Sequence, residues 1–124
     1  MKEKTTVFDL QKYINIDVED SLEERFMKSE KMYVRFLRKL LRTKDFMLLD
    51  LLITDKNAAE AERKAHNLKG VCANLGLVDL QAGFTFLVKH LRSERVDWMI
   101  VYTKMEELRP LWYKTIDCIR SIDD

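Results

Sequence analysis

The chain has 124 residues, 47% of them hydrophobic, with 22 basic against 21 acidic side chains for a formal net charge of +1. That length suits one domain with a real core, and three glycines with one proline leave few tight turns for a multi-stranded sheet. The balanced charge excludes a general nucleic-acid binder, which needs a large basic excess.

No apolar run approaches the roughly 18 residues of a membrane span; the longest, residues 46–53, is broken by Asp50. The opening MKEKTTVFDL lacks the apolar core of a secretion signal. Cys72 and Cys118 do not have metal-ligand spacing, so we expect both as small core residues of a cytoplasmic protein in a reducing compartment.

Along the chain, residues 1–16 read as an N-terminal arm or, over 8–13, a short helix. A helix then starts near Asp17 or Asp20, where acids and Ser21 can serve the free N–H groups of a first turn. From Glu30, Tyr33, Phe36, Leu37, Leu40 and Leu41 recur at helical spacing, with Arg35, Arg38, Lys39 and Arg42 between them. Thr43-Lys44-Asp45 interrupts or bends that helix, and 46–53 continues as a short apolar one. Asn57 with Glu60 has the spacing of a capping box. The next helix should run over 58–75 and stop at Gly76, a plausible residue just past a helix end. Asp79 can cap a helix to about Glu94 that buries Leu80, Phe84, Leu87 and Leu91, with Gly83 allowing close approach. A last helix from Asp97 to Ile122 carries Trp98, Val101, Met105, Leu108, Trp112, Ile116 and Ile119. Pro110 should kink or split it.

The connections between the last three helices are too short for anything but antiparallel neighbours. With the helix from Glu30 they make an all-α fold, an antiparallel up-and-down four-helix bundle with an extra N-terminal helical segment, in one domain over 1–124. The methionines and most aromatics fall at helical spacing and read as core.

On the helix over 58–75 the small or apolar stripe is Ala61, Ala65, Leu68, Cys72 and Leu75. His66 lies about 100° around from Ala65, on the rim where this stripe meets solvent. Glu62, Lys69, Gly70 and Ala73 share its face at offsets of three, four or seven. A glycine inside a helix is unfavourable by roughly 1 kcal/mol relative to alanine, which is tolerated where something must come close to the backbone. An exposed neutral imidazole can attack phosphorus, and Lys69 can offset the charge of a phosphoryl group placed on it. On spacing alone, a surface histidine without a role fits as well, and His90 reads that way. Only Glu62 sits at helical spacing to a histidine in the pattern of di-iron bundles, and a second such pair is absent, so no metal site is expected.

The stretch AHNLKGVCANLGL resembles the signature of histidine-containing phosphotransfer (HPt) domains, roughly A-H-x-L-K-G-x-x-x-x-x-G, with Ala65, His66, Leu68, Lys69, Gly70 and Gly76 all matching. The bundle expected around it, from about Asp17 onward, is that family's fold. The resemblance implies a carrier rather than an enzyme. His66 would be phosphorylated, Lys69 would stabilise the phosphoryl group, and Gly70 would keep access clear. The partners would be response-regulator receiver domains in a relay with a sensor histidine kinase. No cofactor of its own is implied, because the receiver brings the aspartate and Mg²⁺. Docking would use small or apolar residues such as Ala73, with Arg63, Lys64, Lys69, Lys89 and Arg92 facing an acidic receiver site. One departure is Val88, which falls where many members place a glutamine facing the phosphohistidine; Lys89 or Thr85 would substitute in a shifted register. The alternative is an interaction module that docks receivers without transferring phosphate.

Overall fold

A computed structural model describes residues 3–123. It contains six α-helices, α1 (Val18–Glu24), α2 (Glu30–Arg38), α3 (Asp45–Thr54), α4 (Ala58–Asn74), α5 (Val78–Leu91) and α6 (Trp98–Arg120), with 3₁₀ turns at Val7–Lys12 and Lys39–Leu41. The protein is all-helical, and α3, α4, α5 and α6 pack in a closed ring of neighbours. Short connections make each antiparallel to the next.

The fourth member of this ring is α3, not the helix from Glu30. The chain leaves α2 through the 3₁₀ turn, and the Thr43 hydroxyl accepts from the Asp45 N–H at 3.2 Å where α3 begins. Phe46, Leu49 and Ile53 of α3 are buried, and Arg109 of α6 grips Asp50 with two N–H···O bonds of 2.9 Å each. Helix α2 instead lies across α6 and reaches the end of α4, where the Tyr33 hydroxyl donates to the Leu75 carbonyl at 2.6 Å. At the centre, Phe46 stacks on Trp112 at 4.9 Å and Phe84 meets both edge-on at 6.2 Å, joining α3, α5 and α6.

Helix α4 ends as expected. Gly76 adopts φ 71°, the Leu77 N–H bonds to the Cys72 carbonyl at 3.0 Å, and the Gly76 N–H bonds to that of Ala73 at 3.2 Å. This is the Schellman arrangement, which satisfies the last free carbonyls of the helix. The N-terminal segment clamps the same turn. The Asp17 N–H donates to the Gly76 carbonyl at 2.8 Å, and the Val78 N–H to that of Asn15 at 3.1 Å. Val7, Leu10, Ile14 and Ile16 are buried beneath it.

Other expectations need correction. Helix α5 starts at Val78, so Asp79 lies inside its first turn and accepts from the Asn15 side chain at 3.1 Å instead of capping. It also stops at Leu91 rather than near Glu94. Asn57 caps α4 by accepting from the Glu60 N–H, while the Glu60 carboxylate turns to Arg63 at 3.4 Å. Pro110 does not split α6, which runs on to Arg120. Met105 is buried, but Met27, Met47 and Met99 are 80%, 52% and 71% exposed, so the methionines are not a core set.

Gly83 is where α5 meets α6. A Cβ there would collide with the buried side chain of Leu108. Gly83→Ala gains about 1 kcal/mol of helix propensity, but overpacking a full core costs ~1–3 kcal/mol. We expect a net loss of up to roughly 2 kcal/mol, read as a lower midpoint in urea unfolding.

Candidate functional site

His66 stands midway along α4 and is exposed, while Ala65 beside it is fully buried. The rim position expected from a 100° rotation is therefore occupied. Gly70 is also exposed, and a Cβ built on it would meet no atom within 4 Å beyond its own backbone and chain neighbours. No packing in the folded chain requires a glycine there. Lys69 and Ala73, half-buried, complete the face.

The α5 side of the site is set by a register marker the sequence concealed. The Arg92 Nε donates to the Glu62 carboxylate at 2.7 Å, across α4 and α5. One turn from each end of this pair, the antiparallel register brings Val88 level with His66. Val88 is buried, so its side chain belongs to the core. The Thr85 hydroxyl is occupied, donating to the Gln81 carbonyl at 2.8 Å. Gln81, Thr85, Val88 and Arg92 form one edge of α5 at helical spacing, and Arg92 is the cation on it.

The other cations divide. Arg63 pairs with Glu60 at 3.4 Å, and Lys64 reaches across to Asp45 of α3 at 3.2 Å. Lys69 and Lys89 meet no acidic side chain among the described residues. His90 is half-buried with its ring tilted against Phe86 at 4.2 Å, on the opposite edge of α5 where Lys104 lies over the Phe86 ring. Burial pushes the Cys72 thiol up to about 12 and raises Cys118 as well, so neither supplies a thiolate. Among the described residues no group of three or more metal-ligating side chains converges, and Glu62 is committed to Arg92.

On the side of α4 turned away from His66, an apolar groove of about 710 Å³ lies between α2 and α4. Phe36, Leu68, Val71 and Leu75 line it, with Arg25 and Lys39 among its polar neighbours. Phe36 and Val71 are 40% and 42% exposed. Sequence reasoning assigned Phe36 to the core and did not find this groove, because its two walls come from helices far apart in the chain.

Among the described residues no helix is long and apolar enough to cross a membrane. No family model matches the chain, and no curated protein or solved structure matches it either.

Proposed function

We propose that the protein is a phosphorelay carrier: His66 accepts a phosphoryl group from a receiver-domain aspartate and passes it to another receiver. The observation that carries this reading is the open face of α4, where an exposed imidazole has a cation one turn on and an empty position at Gly70. In the forward step an imidazole nitrogen forms a bond to phosphorus as the bond from phosphorus to the aspartyl oxygen breaks, leaving the receiver carboxylate free. The reverse step returns the group to a second aspartate. Such transfer is mostly positioning and charge stabilisation. The receiver contributes the aspartate and its Mg²⁺; this chain contributes the nucleophile, Lys69 and a surface to dock on. Lys69 and Lys89, exposed or half-buried beside this face, provide the cationic setting.

The test is to incubate the protein with a phosphorylated receiver domain or a small phosphoramidate donor and to characterise any phosphate acquired. Acid-labile, base-stable phosphate is the expected product. Acid-stable phosphate, or none from any donor, overturns the proposal.

Phosphorylation adds about −1.5 to −2 charges one turn from Glu62. That charge competes with the carboxylate for Arg92, whose flexible stem lies on the same edge as Val88. Arg92 then takes the stabilising role that Val88 cannot. Arg92→Gln is expected to shorten the phosphohistidine lifetime about fivefold, equivalent to ~1 kcal/mol, measured as loss of label over time from purified phosphoprotein.

Val88 favours a second reading. Without a hydrogen-bond donor level with His66, the domain docks receivers but transfers poorly. Receiver binding without labelling would select that reading.

A further inference from the structure

We infer that the outward face of α2 is a separate docking surface for an extended acidic segment of a protein partner. The inference does not depend on the phosphotransfer reading. Although the whole chain is nearly neutral, residues 31–44 carry six cations and no acid. Three of them, Lys31, Arg35 and Arg38, recur at offsets of four and three residues on α2 and form a stripe opposite the buried Tyr33 and Leu37, and Arg42, just past the 3₁₀ turn that follows, lines the same groove.

The contrast with the other helices is what gives the stripe meaning. Cations on α4 and α6 are largely paired: Arg63 with Glu60, Lys64 with Asp45, Lys104 with Glu107, Arg109 with Asp50. Along this stripe, Lys31 and Arg35 of α2 and Arg42 just beyond it are exposed and meet no acidic side chain among the described residues. Arg38 donates to the Ile122 carbonyl at 2.9 Å, which holds it within the stripe. Like charges at three- and four-residue spacing destabilise a helix. The helix dipole compensates for cations in the last turn, but it opposes Lys31 in the first. A face needed only for solubility would alternate its signs, as the faces of α4 and α6 do.

The shape selects the occupant. The stripe borders a groove of about 590 Å³ whose only apolar lining residue among the described residues is Val34. Within α2, helical rise places successive cations roughly 4.5–6 Å apart along the axis, close to the roughly 6.6 Å between alternate residues of an extended peptide. Acids at every second position therefore meet successive cations. A lipid surface is disfavoured because no exposed large apolar side chain stands on the stripe to insert. Single-stranded nucleic acid is disfavoured because no aromatic platform lies on it; Phe36 is on another face, covered by Lys39 at 4.1 Å. Two acids, Glu30 and Asp123, also line the groove, and Asp123 accepts from the Thr5 N–H at 2.7 Å.

The experiment titrates the full chain against a fluorescent peptide of alternating Glu and Ser and follows anisotropy at low and physiological ionic strength. Saturable, salt-weakened binding is expected. Arg35→Glu combined with Arg42→Glu should weaken it about tenfold or more, while Arg35→Lys with Arg42→Lys should retain most of it and Lys114→Glu on α6 all of it. Thermal melts of each variant confirm folding. Absent binding at low ionic strength, or equal binding by the charge-reversed variant, overturns the inference. So does tighter binding of anionic phospholipid vesicles or of an oligonucleotide through the same two arginines.

Discussion

His66→Gln is expected to abolish acid-labile labelling from every donor while leaving thermal stability within about 0.5 kcal/mol of the native chain. Both halves follow from position. His66 is exposed and is not in a core contact, so its replacement by a polar side chain of similar size removes no buried surface. A carboxamide nitrogen is not a nucleophile, and no neighbour can take over. The Cys72 thiol is buried and held up at about 12. The chain's second histidine, His90, is the natural control. It is half-buried against Phe86 and faces the α6 side of α5. Label that survives His66→Gln and disappears in His90→Gln would move the site there and sink the assignment. A large drop in melting temperature would instead mean that His66 has a structural role its exposure gives no sign of.

The stripe of Ala61, Ala65, Leu68, Cys72 and Leu75 was legible because its period is regular and bounded by polar residues; all five are buried. Once that face is known, the rim position of His66 follows from 100° per residue. The turn at Gly76 was legible for a similar reason, since a positive φ draws glycine. Helix α3 was harder. Apolar side chains surround it, so periodicity cannot say whether Phe46, Leu49 and Ile53 or Met47, Leu48 and Leu51 face the core. The first set does, and the second is exposed. That ambiguity let the better patterned α2 stand in for α3 as the bundle's fourth member. The Glu62–Arg92 pair was hidden by a separation of 30 residues. Finding it requires the register of α4 on α5, which local pattern does not contain. Arg92 was legible as a cation near the site, but its partner was not.

Gly70 separates a structural account of the site from a functional one more sharply than any other residue, and two substitutions there are expected to act in opposite directions. Gly70→Ala should stabilise the protein by about 0.5–1 kcal/mol, because the position is helical, exposed and open, and the added methyl meets nothing. Gly83→Ala should do the reverse, since its methyl strikes Leu108. One residue type in neighbouring helices thus answers to two causes: packing at Gly83, and at Gly70 something that is not packing. Gly70→Arg should also fold, because a long side chain at this position extends into solvent. It would nevertheless stand one turn from His66, where an incoming receiver must bring its phosphoryl group within bonding reach of the imidazole. A misplacement of about 1 Å can lower such a transfer by 10²-fold, and that loss is expected for Gly70→Arg, with Gly70→Ala close to the native rate. Melting curves and transfer rates on the same samples decide the matter. Native-like transfer by Gly70→Arg would show that the open position does not serve access. A stabler protein that no longer transfers would show that the native chain forgoes helix stability at Gly70 so that a partner can reach the histidine.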